Sequence, residues 1–160
     1  MKKNLPLKSD SEENRQLAFN YSLKYLSFRN RSLKEVSEYL NHKKFDEETI
    51  NDVLKRLIDL KFLNDEEFGR SWIESRQRNK GKSKYILKNE LRMKGLNDTQ
   101  IESLLKEATD DLETARIAFE KKKRILGHLP KEEFRKKMGS FLQRKGYSWE
   151  IISKLLKELC

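Results

Sequence analysis

The chain repeats itself at a step of 51 residues, and no gap is needed. Leu40 returns as Leu91 and Leu142, Ile50 as Ile101 and Ile152, Val53 as Leu104 and Leu155, and Leu54 as Leu105 and Leu156. Lys43 returns as Lys94 and Lys145, and Phe45 as Leu96 and Tyr147. Between these positions lie Asp46, Asn97 and Ser148, whose side-chain oxygens can accept from the free N–H groups that open a helix. Each copy therefore reads as helix, short turn, capped helix. Self-similarity at fixed spacing marks a stacked array of small units, not one large core.

A further helix precedes each pair. Leu17, Tyr21, Tyr25 and Phe28 recur at three- and four-residue steps, which puts them on one face of a helix over residues 13–28. The same step carries Leu17 to Phe68 and Phe119, and Tyr21 to Trp72, so Trp72 is expected in the core. Ser32 and Glu35 match a capping box opening the next helix, and Ser83 follows 51 residues later. The reading is an all-α protein of nine helices: a tail over residues 1–12, then three-helix repeats over 13–61, 62–109 and 110–160, stacked into an elongated, curved array. The third repeat's middle helix is expected from residue 134, after the breaks at Gly127 and Pro130.

Composition supports a thin core. Charged residues make up 39% and hydrophobic ones 36%, against about 25% and 45–50% in ordinary globular domains. Cys160 is the one cysteine, which excludes a disulfide framework, and His42 and His128 do not complete a zinc site. No glycine-rich phosphate loop and no nucleophile–base constellation occurs, so neither catalysis nor a cofactor is expected. Residues 1–8 lack the apolar run of a signal peptide, and no 18 successive residues are apolar, so the expected location is the cytoplasm with no membrane partner.

The distribution of charge says more than its total. Residues 1–75 hold 14 basic and 14 acidic side chains, whereas residues 76–160 hold 22 and 12, so the whole net charge of +10 falls in the later part. A polyanion, or a protein carrying one, is the partner such asymmetry suggests. Arg76, Arg78, Lys80, Lys82, Lys84 and Lys88 form the densest basic stretch. Lys82, Lys84 and Lys88 lie at the start of a helix, where positive charge opposes the dipole, so helix stability does not explain them. Lys121, Lys122, Lys123 and Arg124 make a second basic face, and Arg29 with Arg31 a third. All three are candidate contact sites.

These residues resemble the RecX family of bacterial recombination regulators. FGRSWIESR over residues 68–76, the basic loop to Lys82 and ELRMKGL over 90–96 look like its central signature. RNRSLKE over 29–35 and KGYS over 145–148 look like its first and last. The resemblance covers about residues 14–159. It implies tandem three-helix repeats and a monomeric protein that binds the RecA recombinase filament on single-stranded DNA, restraining its ATPase, recombinase and co-protease activities. It lends Arg76, a signature residue, added weight as a contact. One position departs: the family usually has glycine where this chain has Lys44, so the turn before Asp46 must carry strain of roughly 1 kcal/mol or be built differently. The competing expectation is a direct, sequence-independent DNA-binding module. Its third helices offer few bidentate donors for base edges, for example Thr49, Asn51 and Asp52.

Overall fold

A computed structural model describes residues 11–160, and among these every regular element is helical. In order they are α1 (Ser11–Phe28), α2 (Leu33–His42), α3 (Glu47–Asp59), α4 (Asp65–Lys80), α5 (Lys84–Met93), α6 (Asp98–Glu107), α7 (Asp111–Leu126), α8 (Lys131–Arg144) and α9 (Trp149–Leu159). The third helices α3, α6 and α9 begin 51 residues apart, because the residue before each is a cap. Asp46, Asn97 and Ser148 accept from the N–H groups of Thr49, Gln100 and Ile151 at 2.8, 2.8 and 3.4 Å. Ser32 and Glu35 form the expected capping box at α2, each side chain meeting the other's backbone N–H.

Two compact units are distinguished. The first runs to Phe68 and includes Lys94–Leu96, while the second takes Gly69–Met93 and Asn97–Cys160. In the first, Val36 and Leu40 of α2 meet Ile50, Val53 and Leu57 of α3 over Ala18 and Phe19 of α1. In the second, Ala115 and Phe119 of α7, Met138 and Leu142 of α8, and Ile152 and Leu155 of α9 close a similar core, lidded by Tyr147. Each such side chain, taken fully out of water, contributes about 1.5–3 kcal/mol. The repeating apolar positions are thus the ones that hold each helix pair together.

Four expectations need correction. Helix α1 buries only part of the Leu17, Tyr21, Tyr25, Phe28 face. Ala18, Phe19 and Ser22 are buried, while Leu17 and Phe28 are 37% and 75% exposed. Tyr21 and Tyr25 pack half-buried against this core: Tyr21 meets the Phe45 ring edge-on with centroids 6.0 Å apart, and Tyr25 lies on Tyr39 with centroids 4.1 Å apart and planes 6° off parallel, the Arg31 guanidinium 4.0 Å above it. Trp72 is half-buried, not core, because its indole N–H donates to Glu90 at 2.9 Å. Helix α8 starts at Lys131, since Pro130 presets the backbone at φ −53° and Glu132 and Glu133 favour the positive end of the dipole. Helix α1 starts at Ser11, within the stretch expected as tail; residues 1–10 lie outside the described residues.

The Lys44 question has a clear answer. Lys44, Gly95 and Gly146 stand 51 residues apart at the turn between second and third helix, with φ of 71°, 92° and 91°. The turn is built the same way three times, and the first copy places a lysine in the left-handed region that glycine enters freely.

Candidate partner-binding surface

The basic stretch is carried by the second half of α4, a short connection and the start of α5, all in the second unit. Its members differ in what holds them. Arg76 is engaged internally: its guanidinium lies 4.5 Å above the Trp72 ring and 3.2 Å from the Glu90 carboxylate, which also accepts the indole N–H. This is a stacked, charge-assisted clasp between α4 and α5. Arg78 is exposed and pairs with Glu74 one turn back. Lys80 is exposed and Lys82 half-buried, and Lys84 donates its backbone N–H to Asp111 at 2.8 Å. Lys88 is half-buried beside Asp98, whose carboxyl is held down first by the hydrogen bond from Arg92 and by its charge, then by Lys88. No acid of α5 itself occupies its first turn; Asp111 from α7 meets that positive helix end instead.

The structure brings part of this stretch against part of the second basic face. Arg78 and Lys80 from α4 line one groove with Lys121 and Lys122 from α7. Lys123 instead reaches the Leu159 carbonyl at 3.4 Å, and Arg124 is exposed outside the groove lining. Lys145 joins the groove too, a residue absent from the candidates drawn from sequence. Its ammonium donates to the Lys80 carbonyl. Burial pushes its pKa down, and the nearby charges of Lys82, Lys80 and Lys122 push it further the same way. The 51-residue register with Lys43 and Lys94 was the signal that could have found it.

Arg29 and Arg31 lie in the first unit and are occupied there. Arg29 binds Glu35 at 2.7 Å, while Arg31 covers Tyr25. Lys94 also reaches Glu35, at 2.8 Å. Burial alone would push the Glu35 carboxyl up. The hydrogen bonds from Arg29, Lys94 and the Ser32 N–H, with the charge of Lys94, outweigh it and hold the pKa at about 2. Among the described residues no cluster of histidine, cysteine and carboxylate side chains could hold a metal ion, and no helix is long and apolar enough to cross a membrane.

Tandem three-helix units, with basic side chains of the second and third meeting in one groove, define an all-helical repeat protein. Family comparison agrees: the models for the first, second and third three-helix domains of RecX match residues 18–57, 64–105 and 109–156. The chain belongs to the RecX family. It is 34% identical to the regulatory protein RecX of Prosthecochloris aestuarii over 93% of this chain and 97% of that one. It is also 34% identical to the regulatory proteins RecX of Bacillus pumilus and Bacillus subtilis, over 88% of this chain, and spans about half their length, 54%. The crystal structure of RecX from Lactobacillus salivarius superposes with a TM-score of 0.77, covering 92% of this chain and 97% of that one at 28% identity.

Proposed function

We propose that the chain regulates a RecA recombinase by binding its filament on single-stranded DNA and restraining ATP turnover, recombination and co-protease action. The observation that carries this reading is the placement of charge: the entire excess of +10 follows residue 75, and exposed basic side chains from α4 and α7 converge on one face of the second unit. A nucleoprotein filament presents both phosphate and acidic protein surface, and such a patch is attracted to either. Arg78, Lys80, Lys82, Lys84, Lys88, Lys121, Lys122, Lys123 and Arg124 are the proposed contacts. Arg76, Arg29 and Arg31 support the fold around them.

Reversing charge at Arg78, Lys82 and Lys121 together should abolish most inhibition of recombinase ATP turnover while helicity by circular dichroism stays unchanged. Full inhibition by that variant would remove this face from the mechanism. The net charge also favours a second reading, direct sequence-independent binding to DNA, with affinity falling steeply as salt rises. Gel shifts on naked and on recombinase-coated single strands separate the two; equal affinity for both favours the second.

A further inference from the structure

The groove shared by the end of α4, α7 and α8 encloses about 570 Å³ within the second unit, a volume in the range of specific binding clefts. Its floor is Ile117, Ala118 and Ile125 of α7 with Phe141 of α8. Ile117 and Ile125 are 50% and 62% exposed, a large aliphatic area on an otherwise charged helix. Its rim is Arg78, Lys80, Lys121, Lys122 and Lys145. The one carboxylate in the lining, Glu74, is already paired with Arg78.

The repeat register sets this groove apart. A step of 51 residues back from Ile117, Ile125 and Phe141 lands on Glu66, Glu74 and Glu90. The third copy has apolar side chains at three positions where the second has carboxylates. Each exchange removes a negative charge from the basic rim's surroundings, and at Ile117 and Ile125 it leaves apolar surface open to water. Phe141 packs partly against the core beneath, but Ile117 and Ile125 lie outside it and are 50% and 62% exposed.

We propose that this groove docks an acidic peptide segment of a protein partner, seating an aliphatic or aromatic side chain on Ile117 and Ile125 while its carboxylates meet Lys121, Lys122 and Lys145. Charge argues against other occupants. The chain's own residues 1–10 carry Lys2, Lys3 and Lys8 against a single acid, Asp10, the wrong sign for this rim. A second copy would bring +10 against +10. Nucleic acid binds single-stranded grooves by stacking bases on aromatic faces, and here the floor is mostly aliphatic. Its one ring, Phe141, is already approached by the ammonium groups of Lys122 and Lys145, at 5.2 and 5.3 Å from the centroid. The inference deepens the filament reading by assigning this face to protein instead of DNA, and rests on that reading only for the identity of the partner.

The test uses the full chain and a fluorescent peptide with aspartates and glutamates flanking a Leu-Leu pair, read by anisotropy beside a labelled oligothymidylate. Ile117→Ser and Ile125→Ser leave net charge unchanged and alter only exposed positions. Each should weaken peptide binding about tenfold, as removal of an apolar anchor does, and change oligothymidylate binding less than about twofold, since phosphate contacts dominate that affinity. Replacing the peptide's acids by their amides, or its leucines by serines, should lower affinity to a similar degree. Unchanged peptide affinity in both variants, equal binding of the amide peptide, or an equal loss for oligothymidylate would overturn the proposal. Wild-type protein that binds the peptide as expected yet leaves recombinase ATP turnover untouched would uphold the groove and sink the filament reading alone.

Discussion

Two glycine turns seat on the starts of two middle helices, and the pair differ in chemistry while sharing a backbone plan. In the first unit Gly95 abuts Lys34 near the start of α2, whose Leu33 N–H donates to Asp65 at 2.8 Å. In the second, Gly146 abuts Ser83 and Ile86 at the start of α5, whose Lys84 N–H donates to Asp111 at 2.8 Å. Around Gly95 the surroundings are ionic, with Glu35 between Arg29 and Lys94. Around Gly146 they are hydrogen-bonded and apolar: the Ser83 N–H reaches the Lys145 carbonyl at 3.0 Å and the Tyr147 hydroxyl donates to the Gly81 carbonyl at 2.7 Å beside Ile86. Burial, with a smaller push from Asp111, drives the Tyr147 pKa well up, which keeps that hydroxyl a donor. The close approach of backbones is the fixed requirement, and the side chains that secure it are negotiable.

The sharpest way to break this comparison is to add a methyl group. A Cβ at Gly146 would lie 2.3 Å from both Ile86 Cγ1 and Ser83 Oγ, and one at Gly95 would lie 2.6 Å from Lys34 Cβ. With the left-handed backbone and the overpacking together, Gly146→Ala should cost about 3 kcal/mol or more in urea unfolding, and Gly95→Ala somewhat less. The Gly146 variant also disturbs the Ser83 hydroxyl that caps the Ile86 N–H at 3.3 Å. Equal, small losses at both would show that neither turn is seated.

Acid distinguishes the two sites next. Glu35 titrates near 4.5 when unfolded and at about 2 when folded, so its contribution is complete above pH 4.5 and is lost as pH falls through about 2. That difference is worth at most roughly 3 kcal/mol. Glu35→Gln should therefore destabilise by about 2–3 kcal/mol at pH 7, with the gap to wild type closing between about pH 4.5 and pH 2. Asp65 and Asp111 are both pushed up, mainly by burial, and so largely cancel from the comparison. A gap that stays constant over this range would mean Glu35 is not held as described.

The smallest expected effect concerns the turn with no such neighbour. Lys44 is exposed and holds φ 71°, so Lys44→Gly relieves strain but frees the unfolded chain. The net gain should be about 0.5–1 kcal/mol by thermal unfolding. Any loss of stability would show that the lysine side chain supports the turn.

Much of the fold was legible because it is written three times. The caps at Asp46, Asn97 and Ser148, and the core positions from Leu40 to Leu156, follow from spacing alone. The face of α1 was not, because a leucine, two tyrosines and a phenylalanine at helical spacing satisfy the same pattern whether they enter a core or lie along its edge. Trp72 misled for a related reason: register says which face a residue occupies, not whether Glu90 on another helix draws its indole N–H outward. The basic stretch was visible as composition, but the pairing of Arg76 with Glu90 and the convergence of α4 with α7 depend on contacts distant in sequence. The apolar groove floor escaped notice because Ile117, Ile125 and Phe141 break the repeat, and a search for what recurs passes over what does not.

The lysine at position 44 also closes a seat that the other two turns keep open. A middle-helix start offered by another molecule would meet a side chain there, where the seats at Gly95 and Gly146 admit none. Nor does α8 begin as α2 and α5 do, being extended back to Pro130 and lacking a side-chain cap. The turn-to-helix contact is thereby kept where glycine stands and disfavoured, on steric grounds, at Lys44 and at the start of α8.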